Sequence, residues 1–311
     1  MDDARLVEIQ READRAADDA AREARAEVLE REGLDRIGDI TPPQRSARRQ
    51  RKTSTQSQST DLYHHFVVDV WLTNLNPTEF GIFKRSRNRA KSRQFTTDMD
   101  VFAEVIENGK RTGLLGYRKD LWEKRENSDK RLVFKLFTDK LHWRSTMDLM
   151  LARSVSQTIG ARLLPVMTYS VNSSGENQVV YVERSANKWP VMPENFSFFL
   201  LRGGKLEFFR IRQKFIRFGD DYLIYNGRDE IIGLIDGAGL SLMGKWRCRL
   251  KKDYAQGPLL NVLKMFAGML VFNDACRSHV RRCAAAVRRG VYEPKLEKQE
   301  TDLYMNPRRV R

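Results

Sequence analysis

Few residues in this chain are of a type and spacing that could do chemistry, and most of those few lie near its C-terminus. Cys276, His279 and Cys283 fall at i, i+3 and i+7 on one side of a helical stretch, the residue types that bind zinc. Their spacing argues against a shared ion. Cys276 and Cys283 are about 10.5 Å apart along a helix axis, while two sulfurs on one zinc are separated by at most about 4.6 Å. Val280 and Val287 share that face, so the cysteines are read as core residues; Cys248 is the one further thiol. His64 and His65 are adjacent in a stretch of strand composition, so their side chains leave on opposite faces. His142 precedes Trp143 at the start of an expected helix. Asp220-Asp221 and Asp229-Glu230 are paired carboxylates placed in expected turns, where such side chains bond the local backbone. No Ser/His or Cys/His signature anchors nucleophilic catalysis, and the chain is read as non-enzymatic, with no cofactor and no metal.

Charge is the stronger signal. The 311 residues carry a net +15. Residues 1–40 hold thirteen acids against seven arginines, a net −6, which leaves +21 on the remainder. So basic a body is drawn to phosphate-bearing partners. Two segments concentrate the charge. Lys84, Arg85, Arg87, Arg89, Lys91 and Arg93 occupy six of the ten positions 84–93. Arg277, Arg281 and Arg288 form one stripe of the last helix, with Arg282 and Arg289 beside it and Cys276, Val280, Cys283 and Val287 opposite. A basic amphipathic helix suits anionic lipid or nucleic-acid phosphate, or it is simply a solvated face.

The elements that would hold these residues are mostly strands. Residues 1–40 read as a charged helix with a thin seam of Leu6, Ile9, Ala13, Ala16 and Val28, either solvated or able to self-associate weakly. Residues 41–61 combine Pro, Ser, Gln and basic residues and read as a disordered linker. The opening MDDARLVEIQRE has neither a basic n-region nor an apolar h-region, so no secretory signal is expected there. Three cysteines give no disulfide framework, which favours a reducing, cytoplasmic setting.

From residue 62 onward, short apolar runs alternate with turn residues. Asn108-Gly109 and Asn226-Gly227 mark hairpins, and Arg202-Gly203-Gly204-Lys205 marks another turn. Ser145-x-x-Asp148 looks like a capping box for a helix running through Met147, Met150, Leu151, Val155, Ile159 and Leu163. In 214–242, KFIRFGDDYLIYNGRDEIIGLIDGAGLSL, no helix follows Gly237 or Gly239, so the dinucleotide and P-loop readings fail on context. What remains is a β-meander, with Phe209, Ile211, Phe215, Phe218, Tyr222 and Ile224 on one face. Next comes LLNVLKMFAGMLVF (259–272), apolar nearly all round. Fourteen residues span about 21 Å, short of the roughly 30 Å of a bilayer core, so the expected place for this helix is inside a barrel of the chain's own strands, with a membrane-inserted helix or an interface helix as the alternatives.

A meander of this form followed by one apolar helix resembles the tubby C-terminal-like barrel group, most closely its LURP-one-related and phospholipid-scramblase-like branch. The resemblance is carried by residues 206–273 and extends loosely over 62–200. It implies a closed antiparallel barrel, within 62–290, around a central hydrophobic helix at about 258–289, followed by a basic tail at 291–311. It also implies non-catalytic binding of phosphoinositides or association with membranes. The asparagine turn at 226–229 and the continuation DACRSHVRRCAAAVRRG depart from the group's pattern. The sequence thus predicts a mainly β protein that docks on anionic phospholipid, peripheral to a membrane. Nucleic acid bound by the same patches, or an unrecognised enzyme, are the rivals.

Overall fold

The computed structural model describes residues 62–70, 94–96, 98–187, 192–214, 221–237, 244–255, 257–291, 293 and 300–301. The expected N-terminal helix and linker, and the basic run Lys84 to Arg93, lie outside the described residues. So do Phe215, Phe218 and most of the tail. The chain divides into two units, 1–58 with 187–192, and 59–186 with 193–311. In the first, the described contact is a hydrogen bond from Asn187 Nδ2 to the Met192 carbonyl, 3.1 Å. The second is the β-rich body.

Twelve strands make up its wall: β1 Tyr63–Val70, β2 Met99–Glu107, β3 Lys110–Arg118, β4 Val133–Thr138, β5 Trp143–Leu149, β6 Met167–Ser173, β7 Val179–Arg184, β8 Asn195–Arg202, β9 Lys205–Gln213, β10 Tyr222–Asn226, β11 Ile231–Gly237 and β12 Lys245–Lys251. Every sequential neighbour pairs antiparallel, and β1 pairs with β12, from Tyr63 opposite Lys251 to Asp69 opposite Lys245, which closes the barrel. Closure removes the exposed strand edges that an open sheet would present. Among the described residues the α-helices are α1 Lys119–Trp122, α2 Leu151–Gly160, α3 Gly257–Met269 and α4 Asn273–Arg288.

Alternation decides which side chains face in. Phe66, Val68 and Val70 of β1 are buried, as are Phe196, Phe198 and Leu200 of β8, Phe209 and Ile211 of β9, and Tyr222 and Ile224 of β10. They meet α3, which runs inside the barrel with Leu259, Val262, Leu263, Met265, Phe266 and Met269 buried. Phe266 sits edge-on to Phe196 at 4.9 Å and to Tyr222 at 5.7 Å. Each such side chain, fully removed from water, contributes about 1.5–3 kcal/mol, and α3 alone accounts for several of them. Gly257–Arg288 is long and apolar enough by composition to cross a bilayer, with 61% of its most apolar window buried in the protein. Here the α3 part of that surface is covered by the chain's own strands.

The expected helix over 258–289 runs from Gly257 to Arg288 and tightens into a 3₁₀ turn at Leu270–Phe272, which divides it into α3 and α4. At this break the Phe272 ring enters an aromatic cluster, 5.2 Å from Phe102, 5.4 Å from Tyr117 and 6.2 Å from Trp122. The expected helix from residue 146 also needs correction. Residues 143–149 form β5, whose Ser145, Met147 and Leu149 point inward, and α2 starts only at Leu151. His142 therefore precedes a strand. Ser145 shares a hydrogen with Ser173, and Asp148 accepts from Arg131 at 2.7 Å, so neither caps a helix. The ladder to β4 and β6 satisfies more backbone groups than a cap would, and it overrides the local signal. The α2 amides are met instead by Glu300, which accepts from Arg153 N at 2.8 Å and Ala152 N at 3.4 Å.

The short-range hairpin signals hold. Asn108 and Gly109 adopt φ of 50° and 72°, and Gly203 and Gly204 adopt 53° and 78°, the paired positive angles of a type I′ turn. Asn226 accepts from the amides of Arg228 and Glu230 through its side chain. These three turns and the start of α3 lie at one end of the barrel. The α3–α4 break, α1 and α2 lie at the other.

Candidate anion-binding site

Helix α4 begins where α3 leaves the barrel. Its buried side holds Cys276, His279, Val280, Cys283 and Ala284, packed toward α2 and the turn before β4. Its opposite side carries Arg281, Arg282, Arg288 and Arg289, all exposed. None of these four guanidinium groups has an acidic partner among the described residues. At 100° per residue the four fall within about 120° of arc, so a flat anionic surface can meet them together.

Arg277 was expected in the same set but is differently placed. Its Nη1 lies 3.3 Å from Glu194 Oε1 and 3.2 Å from Asp274 Oδ1. Glu194 is the centre of a buried network that fixes the root of α4. Arg184, 1% exposed, donates to Glu194 Oε1 from Nε at 3.2 Å and Nη2 at 3.0 Å. Tyr222 donates to Oε2 at 3.2 Å and Asn273 at 2.8 Å. Burial pulls the Arg184 guanidinium below its usual value, and the Glu194 carboxylate beside it works the other way. Two cations and two neutral donors share one carboxylate, so removing it would strand a buried charge. The network ties β7, β10 and the residue before β8 to the first turn of α4, and thereby aims the arginine face outward.

Lys84, Arg85, Arg87, Arg89, Lys91 and Arg93 lie outside the described residues. The adjoining Gln94 is held on the barrel's outer wall, where Lys135 Nζ donates to its side-chain oxygen at 2.6 Å. Burial, with Arg118 adding to it, brings the Lys135 ammonium down to about 8.

The candidate chemistry at Cys276, His279 and Cys283 resolves into separate contacts. Cys276 faces the Tyr169 hydroxyl and burial pushes its thiol up to about 12. His279 Nε2 donates to the Lys130 carbonyl at 3.1 Å, and Cys283 Sγ lies 3.8 Å from His279 Nδ1. Among the described residues no group of three His, Cys, Asp or Glu side chains is arranged to hold a metal ion. His64 and His65 do part to opposite faces. His64 Nε2 meets Glu107 at 3.4 Å at the barrel mouth, where Lys264 of α3 also binds Glu107 at 2.7 Å, while His65 faces outward. Asp229 accepts from Arg210 at 2.8 Å, Asp221 from Lys214 at 3.0 Å, and Glu230 from Asn226 at 2.7 Å; all three serve their own turns and strands.

Sequence reasoning missed the outer wall near β1 and β11. A groove of about 390 Å³ there is lined by Tyr63, His65, Ile231, Leu234 and Arg249, with Gly233 in it. The signal was available: in an alternating strand the residues opposite the core positions are also specified, and several here are large and apolar.

No protein-family model matches the chain, and no curated protein or solved structure does.

Proposed function

We propose that this protein is a non-catalytic binding module of the tubby-like kind that docks on anionic phospholipid surfaces. The reading is carried by one observation: four exposed arginines on a single face of α4, without acidic partners among the described residues and anchored at their root by the Glu194 network. Uncompensated guanidinium groups on a rigid element attract phosphate oxygens and lose little freedom on binding. The net charge of +15, six of whose cations fall in Lys84–Arg93, supplies long-range attraction of the same sign. A closed barrel filled by its own helix leaves the outer surfaces to do the binding.

The test is flotation with phosphatidylcholine vesicles with and without phosphatidylserine, using Arg→Gln at positions 281, 282, 288 and 289. Each substitution lowers affinity for the anionic vesicles roughly fivefold, at about 1 kcal/mol per arginine near such a surface. Vesicle binding unchanged in the fourfold variant defeats the proposal. A mobility shift on DNA and RNA that is tighter than vesicle binding at equal salt transfers the same face to nucleic acid.

A further inference from the structure

The groove on the outer wall between β1 and β11 takes no part in the contact assigned to α4, yet its lining is specified more closely than a solvated wall requires. β12 runs between those two strands, so their axes lie roughly 10 Å apart, two strand spacings. Arg249 stands in the middle of this trough, its Cα opposite His65 of β1 on one side and Leu234 of β11 on the other. Tyr63, 36% exposed, and Ile231, 50% exposed, extend the two walls. The β10–β11 register slips between Ile224 and Tyr225, where β11 carries Ile232 as an extra residue. Such bulges re-aim side chains, and here Ile231 and Ile232 both line the groove. Its volume of about 390 Å³ falls within the range of small-ligand sites.

Three polar groups converge on this trough unengaged. The Tyr63 hydroxyl, the His65 ring nitrogens and the Arg249 guanidinium make no hydrogen bond or ion pair among the described residues. The Tyr63 and His65 ring centroids lie 6.5 Å apart, so β1 offers two π surfaces side by side. Burial, with Arg249 and His64 adding to it, holds the His65 imidazole below its usual value. At neutral pH that ring is uncharged and presents one donor and one acceptor. The charge in the groove is therefore that of Arg249. Its neighbours on the same side of β12 face acids: Lys245 meets Asp69 at 2.7 Å, Arg247 stands opposite Asp236, and exposed Asp253 follows Lys251 in the turn after β12. Arg249 has no acid opposite it, since its register partners are His65 and Leu234.

A guanidinium grips a phosphate through two parallel N–H donors. Tyrosine and histidine rings stack on flat heterocycles, and their polar atoms reach a base edge. Isoleucine and leucine on the facing wall cover the other side of such a ring. We propose that this groove is a nucleotide site. It takes a nucleoside monophosphate, the base between the Tyr63–His65 wall and the Ile231–Leu234 wall and the phosphate on Arg249. The inference does not rest on the phospholipid reading, and the groove lies toward the barrel end that carries the 226–229 turn.

The experiment is isothermal titration of the full chain with adenosine monophosphate, and separately with adenosine, ribose phosphate and inorganic phosphate. Adenosine monophosphate binds with a Kd at or below about 1 mM, and each of the other three binds at least about tenfold more weakly. Arg249→Gln and Tyr63→Ala, both at exposed positions outside the core, each weaken adenosine monophosphate about tenfold and keep the melting midpoint of the unsubstituted protein. Absence of binding at millimolar nucleotide overturns the proposal, as does binding that survives both substitutions. Equal affinity for inorganic phosphate reduces the groove to a bare anion contact and overturns it too. Phosphatidylserine vesicles that displace the nucleotide give the groove to a lipid headgroup instead.

Discussion

His279 shows how a single buried side chain couples this fold to pH. It is 3% exposed, edge-on to Trp122 at 6.0 Å, with Nε2 on the Lys130 carbonyl. Burial, helped by the Lys130 and Arg282 charges, brings its imidazole from 6.5 down to about 4. Between those values the unfolded chain binds a proton that the folded one does not, so stability rises with pH through this window and is lost as pH falls. The size is about 3 kcal/mol from the full shift. Urea midpoints at pH 7 and pH 4.5 for the unsubstituted protein and His279→Gln check it. The glutamine variant loses less stability on acidification, and parallel losses would contradict the assignment. The sequence showed Cys276, His279 and Cys283 on one helical face, because helical spacing is a local property. It could not show that Arg277 is spoken for, since Glu194 lies 83 positions away.

Among the elements, α3 is held to tighter tolerances than its apolar composition suggests. A Cβ built on Gly268 would lie 2.8 Å from Leu115 Cδ1 and 3.5 Å from Phe102, so the helix approaches the β2–β3 wall through the Gly268 side. Gly268→Val overpacks this contact and lowers unfolding free energy by about 1–3 kcal/mol in a thermal or urea titration; an unchanged midpoint would mean that wall and helix move apart freely. The hairpins at 108–109 and 203–204 were legible because a tight turn with positive φ at two successive residues favours Asn and Gly, whereas the turn after Asn226 places its positive φ at Asp229. The start of α2 was not legible. Residues 145–151 satisfy a helical capping pattern and a strand alternation at once, and only the ladder hydrogen bonds to β4 and β6 select between them.

At the scale of the whole barrel, the net charge of +15 makes the proposed docking on anionic vesicles sensitive to salt: flotation weakens as added salt shortens the screening length toward about 3 Å near 1 M, and flotation that salt leaves unchanged would reject an electrostatic contact. By itself the sequence determined the mainly β class, the inward face of Phe209, Ile211, Tyr222 and Ile224 on β9 and β10, and a late helix too apolar for water and too short for a bilayer. Those follow from periodicity and composition, which are carried within a few residues. Tertiary structure alone decided that β1 closes on β12 and that Glu194 locks the helix root. Each of these joins positions far apart in the chain, and alternation tells a side chain which face it takes but not which neighbour it will have.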